Sequence, residues 1–444
     1  MTNLYLCRLI ILSIVRKKIA FHTLGCKLNF SETSSIAKMF PTSEYEIVDF
    51  KSKADFYVIN SCSVTHLAER KTHSTAKQAK MRNPNAKVTV MGCYPQLNPE
   101  KVAALSSIDL VLGNDDKYNI VEYLQNPDSE RSAEVHVANI KKVKRFMPSY
   151  SSGDRTRSFL KVQDGCDHYC TYCSIPLARG RSRSASIAKT IEVAREIGQS
   201  GIREIILTGV NIGDFGKGTE ETFYHFLLEL EKVPGIERIR ISSIEPELLT
   251  DEIIDLVAQS KVFLPHFHIP LQSGSDQVLK DMRRFYDTKM YAARVEKIKS
   301  VLPNACIAAD VIVGFPTETN EEFASAMEFI ADLPISYIHT FTYSQRQDTQ
   351  ALKMENSVHP PDKKKRSQAM HMLSDRKKEV FYTENVGKKH VVLFENNVID
   401  CMMSGWTGNY IKVFTPFKEE LINEIVEVTL DDKYFEDGFL VETK

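Results

Sequence analysis

The sequence predicts an α/β multidomain chain: a parallel-sheet amino-terminal domain, an incomplete (β/α)6 barrel and a small carboxy-terminal β-barrel. Three observations carry this. A length of 444 residues, at about 150 per domain, holds about three domains. β-rich runs alternate with helical stretches, first to about residue 138 and again to about residue 383, the pattern of βαβ units. Residues 384–444 instead give short alternating strands with turns at Asn396-Asn397, Gly405-Trp-Thr-Gly408 and Asp431-Asp432. At 43% hydrophobic and 26% charged the chain is neither disordered nor membrane-embedded. A formal charge of −1 excludes a protein that coats nucleic acid through bulk charge, so any RNA contact must be local.

Residues 1–16 hold an apolar run, Leu4 to Val15, broken by Arg8 and too short for a bilayer, which takes about 20 residues. With no basic stretch before it and no small-residue cleavage site, it is expected to be a poorly ordered extension, and the protein cytoplasmic. Within residues 17–138, strands are predicted at Lys18–Leu24, Ala54–Ile59 and Lys87–Met91, each running almost at once into a cysteine: Cys26, Cys62 and Cys93. In a parallel sheet those positions share the carboxyl edge, where ligands bind. Any one of them alone would pass for a small buried residue; their recurrence at the same strand end points to a shared ligand.

Residues 139–157 turn polar and basic, with Lys141-Lys-Val-Lys-Arg145, Pro148 and a Ser151-Ser-Gly153 turn, and read as a linker. Residues 158–383 hold six strand-like segments, near Phe159–Gln163, Glu204–Thr208, Arg238–Ser242, His266–Pro270, Ala308–Val313 and Ile338–Tyr343, each followed by a helical stretch. On such a barrel, catalytic groups sit at the strand carboxyl ends. Those ends carry small or polar residues, and Gly209, Asn211, Ser243, Glu245, Gln272 and Gly314 are the candidates for holding a polar ligand. His266 and His268 alternate on one strand and read as satisfied interior or outer-face residues without a role.

Nine cysteines, an odd number in a chain this long, favour metal or redox use of thiolates in a reducing compartment. The tight cluster is Cys166-x3-Cys170-x2-Cys173, in the loop after the first barrel strand. Three thiolates suit an iron–sulfur cube that keeps one iron open to a small chelating molecule. A structural zinc would want a fourth ligand, and the one nearby, His168, stands awkwardly between two of the cysteines. Cys306 reads as strand packing, and Cys7 and Cys401 as incidental.

Cys166-Asp-His-Tyr-Cys170-Thr-Tyr172-Cys173 on an incomplete barrel resembles the radical S-adenosylmethionine superfamily. The wider chain after Lys17 resembles its methylthiotransferase branch, whose carboxy-terminal barrel is of the TRAM type. Thr23-Leu-Gly-Cys26-Lys-Leu-Asn29-Phe-Ser-Glu32 is similar to the opening motif of the MtaB type, which acts on N6-threonylcarbamoyladenosine in tRNA. Asp310-Val-Ile-Val-Gly314-Phe-Pro-Thr-Glu318 and Phe341-Thr-Tyr343-Ser-Gln-Arg346-Gln-Asp348-Thr349-Gln-Ala351 agree, except that Asp348 stands where the family usually has Gly; Asp tolerates left-handed backbone, so the turn is expected to survive.

The resemblance implies two [4Fe-4S] clusters, a radical-generating one on Cys166, Cys170 and Cys173 and an auxiliary one on Cys26, Cys62 and Cys93. It also implies S-adenosyl-L-methionine across the barrel mouth, contacted by some of the six strand-end residues. The implied reaction takes hydrogen from carbon 2 of the adenine next to the anticodon and puts a methylthio group there. Partners are then tRNA, an electron donor and a sulfur source, with no membrane; a monomer is the expectation. Lys141–Arg145, Arg179–Arg183 and Lys363–Arg366 with Arg376–Lys378 are the candidate phosphate contacts. Residues 384–444, with six Lys/Arg against twelve Asp/Glu, are acidic, which raises a ribosomal protein side chain as the alternative substrate of the same chemistry. A non-catalytic metal-binding RNA adaptor is the alternative of another class.

Overall fold

The computed structural model describes residues 16–63, 66–125, 133–151 and 156–443. The extension read over residues 1–16, with Cys7, lies outside the described residues apart from Arg16, as do Ser152 and Gly153 of the predicted linker turn. Contacts divide the chain into two units: one of the chain up to Gly25, Ile36–Ser63 and Leu67–Ala138, the other of Cys26–Ser35, Val64–His66 and Asn139–Lys444.

The first unit is built on a six-stranded sheet with every neighbouring pair parallel. Its strands are β1 (Lys17–Thr23), β2 (Tyr45–Val48), β3 (Phe56–Ser61), β4 (Lys87–Gly92), β5 (Leu110–Leu112) and β6 (Glu134–His136), in the order β2-β1-β3-β4-β5-β6. Every residue of β3 is buried, which is why these strands read as unbroken apolar runs. Ser61 pairs with Gly92, so Cys62 and Cys93 leave adjacent strands at one level of the carboxyl edge. Gly92 has φ +103°, and a Cβ there would meet Asn60 Oδ1 at 2.5 Å and the Ser61 carbonyl at 2.9 Å, so glycine is needed just before Cys93.

In the second unit, β7 (Ser149–Tyr150) lies antiparallel on β8 (Arg157–Lys161), followed by a short hairpin pairing β9 (Gln163–Asp164) with β10 (Arg183–Ser184). β7 arises inside the stretch read as a linker. The barrel continues through β11 (Glu204–Thr208), β12 (Arg238–Arg240), β13 (His266–His268), β14 (Cys306–Val313) and β15 (Tyr337–Thr342). Parallel pairing runs β8-β11-β12 and β13-β14-β15, and single parallel bridges Ile239–Phe263 and Ser243–His268 join the two sets into an open six-stranded wall. Ser186, Thr222, Ser275, Asp287 and Thr319 cap the intervening helices by accepting N–H groups of the first turn. Alternation puts Leu160, Ile205, Leu207, Ile239, Phe267, Ile307, Ala309, Val311 and Ile338 in the core with those helices. The opposite face carries Lys161, Glu204, Arg238, Arg240, His268 and Asp310 among apolar neighbours such as Phe159 and Ile206.

The helix Pro360–Thr383 follows, held where Ser374 bonds the backbone of Ile338. It leads to β16 (Lys389–Ile399), β17 (Met402–Thr407), β18 (Lys412–Pro416), β19 (Ile425–Thr429), β20 (Tyr434–Phe435) and β21 (Gly438–Leu440), a sheet antiparallel except for β18 with β21. This sheet seats on the amino ends of the barrel strands. Glu204 is bonded by Arg238 at 2.7 Å and Arg240 at 3.3 Å, and these guanidiniums also donate to the carbonyls of Val391, Trp406, Thr407 and Gly408. No helix among the described residues is long and apolar enough to cross a membrane.

Candidate active site

The loop between β9 and β10 carries the three clustered cysteines. Gly165 (φ +72°) starts it, and a Cβ there would lie 2.0 Å from the Arg181 carbonyl, so the loop closes on itself only through glycine. The Cys166 amide donates to the Gly180 carbonyl, and Thr171 ties the loop to Met282 and Asp281. Burial, with the charge of Cys170 adding to it, pushes the thiols of Cys166 and Cys173 up to about 12. Three partly buried thiolates this close would repel one another and need a cation between them; an iron–sulfur cluster supplies that, so the donor set fits the group. Arg284 is the protein's own cation here, donating to Cys170 Sγ at 3.1 Å and pairing with Glu245. Burial opposes its charge, but Glu245 holds it protonated well above the ordinary range.

Gln163 fixes the loop to the next strand. Its side-chain amide donates to the Gly165 carbonyl at 2.7 Å, and its Oε1 accepts the amides of Val210 and Asn211. Asn211 lies 3.3 Å from His168 Nε2. So of the six strand-end candidates, Asn211 and Glu245 reach the cysteine loop through His168 and Arg284, and Gly209 stands beside the Gln163 bridge. Gln272 borders a cavity of about 200 Å³ together with Tyr172, Cys173, Asp310, Tyr343 and Arg346. Ser243 bridges to His268, and the Gly314 amide donates to Glu318 at 2.7 Å. Asp348 adopts φ +61°, so the expected turn survives without glycine.

The basic run Arg179–Arg183 is not a phosphate grip. Arg179, 2% exposed, donates to Glu32, Asn29 and Asp164, and Arg183 to Asp164 and three backbone carbonyls, leaving Arg181 as the exposed member. Lys161 completes the network with Glu32 and Asp164, both at 2.9 Å. Arg366 is likewise buried against Glu318. His266 corrects a second expectation: it is buried, and neither ring nitrogen has a hydrogen-bond partner. In the amino-terminal set, Cys62 and Cys93 are buried, Asn114 donating to Cys93 Sγ at 3.5 Å, while Cys26 is exposed and belongs to the second unit. Sequence reasoning missed Gln163 and Arg284 as loop anchors; Asn29 and Glu32 stood in the quoted motif, which was their signal.

Two family models match: the radical SAM superfamily over residues 160–330, and an uncharacterized protein family, UPF0004, over residues 18–113. The threonylcarbamoyladenosine tRNA methylthiotransferase MtaB of Bacillus subtilis (strain 168) is 38% identical, covering 93% of this chain and 93% of its own. The chain belongs to the MtaB methylthiotransferase family. A tRNA-2-methylthio-N6-dimethylallyladenosine synthase of Alkaliphilus oremlandii is 31% identical over 88% of this chain and 82% of its own. The radical S-adenosylmethionine methyltransferase TsrM from Kitasatospora setae shares the fold, with a TM-score of 0.55 at 12% identity, covering 76% of this chain and 77% of that one.

Proposed function

We propose that this chain puts a methylthio group on carbon 2 of N6-threonylcarbamoyladenosine next to the anticodon in tRNA, using S-adenosylmethionine and two [4Fe-4S] clusters. The observation that carries this is MtaB-family likeness over nearly the whole chain, joined to a loop of three partly buried cysteines whose thiolates would repel one another. Cys166, Cys170 and Cys173 would hold the radical-generating cluster, and Cys26, Cys62 and Cys93 the auxiliary one. Bound there, the clusters and S-adenosylmethionine supply the radical that takes hydrogen from adenine and the sulfur that replaces it. The chain's own share is positioning. Gln163 and the Arg179 network set the loop, Arg284 offsets thiolate charge, and Gln272 with some of Gly209, Asn211, Ser243, Glu245 and Gly314 orients S-adenosylmethionine. Tyr172, packed edge to face on Phe315, lines the cavity with Ile175, Ile312 and Phe341 on its apolar side.

Deleting the gene in its host and digesting total tRNA to nucleosides tests the substrate: the 2-methylthio form of threonylcarbamoyladenosine should vanish. Its persistence in a host with no second such enzyme overturns the reading. Reconstitution under anaerobic conditions should give about eight irons per chain. Cys62→Ala should keep S-adenosylmethionine cleavage and lose sulfur insertion; full turnover in that variant overturns the auxiliary assignment.

A further inference from the structure

The barrel wall carries a second set of metal-ligating side chains, outside the cysteine loop. Side chains alternate along a strand, so parallel strands in register present one face together. His268 on β13 pairs with Ala308 on β14, and Asp310, two residues further on, pairs with His339 on β15. His268, Asp310 and His339 therefore stand on one face of three consecutive strands, opposite the core residues Ile307, Ala309 and Val311. His268 Nε2 lies 2.8 Å from Asp310 Oδ1, the His268 and His339 ring centroids are 5.3 Å apart, and one ligand atom from each of the three residues falls within 4.8 Å of the others. Asp310 also borders the cavity of about 200 Å³ that Cys173 and Gln272 line. His266, two residues back on β13, turns its ring against Tyr410 at 4.6 Å and stands outside the set.

Two imidazoles and one carboxylate suit a first-row transition ion; magnesium and calcium take oxygen ligands. A zinc ion bonded at about 2.0–2.2 Å asks for tetrahedral ligand separations of about 3.3–3.5 Å. The observed separations, 2.8 Å for His268 with Asp310 and at most 4.8 Å for any pair, bracket that value, so side-chain rotation on fixed strands suffices. With both rings neutral the set carries one negative charge and three ligands. A divalent ion there keeps a fourth position open, the pattern of a site with an exchangeable ligand rather than of a closed structural one.

We propose that His268, Asp310 and His339 bind one divalent transition ion of the zinc class, a metal centre separate from the two cysteine sets. Binding places the His268 hydrogen on Nδ1, which frees Nε2 to face the ion beside Asp310. The fourth position takes water or an oxygen of a molecule entering the cavity that Asp310 borders. The site belongs to the barrel wall alone and does not depend on which base the enzyme modifies.

The test is zinc uptake by reconstituted holoenzyme, its cysteine sets filled with iron, in anaerobic equilibrium dialysis followed by metal analysis. Wild type should bind one zinc per chain with its iron content unchanged. Loss of a residue that merely supports a metal ligand costs about 10- to 100-fold in affinity, so Asp310→Asn and His339→Phe, which remove ligands, should each weaken zinc binding by about a hundredfold or more. His339→Gln, which keeps a polar side chain and lacks the imidazole, should weaken it by about tenfold or more. Zinc should raise the Tm of wild type and leave that of His339→Phe unmoved, while the zinc-free Tm and iron content of the two proteins agree. Cys401→Ser, which removes an exposed thiol outside both iron sets, should bind zinc as wild type does. Absence of zinc uptake, uptake that His339→Phe and His339→Gln keep within about twofold, or uptake lost in Cys401→Ser overturns the site. None of these readings involves tRNA, so they leave the proposed function untouched.

Discussion

The two ends of the barrel wall solve the same electrostatic problem with different consequences. At the amino ends of the strands, Glu204 is ringed by Arg238, Arg240 and, at 3.9 Å, Arg157. At the carboxyl ends, Glu32 and Asp164 are ringed by Arg179, Lys161 and Arg183. Each is a nearly dry cluster in which losing one partner strands a buried charge. The spare donors differ, however. Those of the amino end go to carbonyls of the carboxy-terminal sheet, and Arg157 goes on to Glu395. Those of the carboxyl end go to Asn29 and to the backbone of the cysteine loop. One network therefore fastens a domain and the other shapes a site, in line with the barrel rule that the bottom face serves stability and the top face chemistry.

The sharpest way to break this distinction is at Glu204. Glu204→Gln leaves three guanidiniums around a neutral group and should cost about 3–5 kcal/mol in denaturant unfolding. Iron content and turnover per folded molecule should stay near wild type; a loss of iron from the folded fraction would erase the difference between the ends.

The same residue gives a pH signature. Burial alone would raise the Glu204 carboxyl, but Arg240, Arg238 and Arg157 outweigh it and hold it at about 2. A carboxyl depressed in the folded state lends stability that is present above its ordinary value, about 4.3, and is lost as pH falls toward the folded value. A shift of that size is on the order of 3 kcal/mol. The stability gap between wild type and Glu204→Gln should therefore narrow by most of that amount between pH 5.5 and about 2.5 in urea titrations. A gap that stays constant would mean the guanidiniums do not act through the charge of Glu204.

At the other end, Arg179→Lys keeps the charge but loses the planar fork that reaches Glu32, Asn29 and Asp164 together. Unfolding should cost less, about 1–3 kcal/mol, while iron retention on the radical-cluster loop should fall about tenfold or more in a chelator challenge. Equal iron retention in this variant would reduce the upper network to a second fastening.

The contrast also explains what was legible beforehand. Strand-end cysteines and the six barrel strands could be read because periodicity and spacing are local in the chain. The two-residue strand β7 is too short to leave such a pattern. Arg179 reads in sequence as a phosphate contact because its partner Glu32 lies 147 residues away, and a run of charges says nothing about a counter-charge that far off. His266 reads as satisfied because sequence shows the residue type and not whether its ring nitrogens find partners. The turn at Asp348 was legible, since the requirement for positive φ belongs to the residue itself.

Arg181 supplies the smallest effect and the closest control. It sits between Arg179 and Arg183 in sequence, yet its side chain is 71% exposed and its partner is Asp167 at 3.2 Å. A pair that open to water contributes little, so Arg181→Ala should shift unfolding by no more than about 0.5 kcal/mol and leave iron retention unchanged. Its remaining use would be toward a phosphate. In that case tRNA affinity should fall by a few-fold at low salt, and the difference should shrink as salt rises, because a single phosphate contact releases about one counter-ion. An affinity unchanged at every salt concentration would remove the last member of this run from the RNA surface.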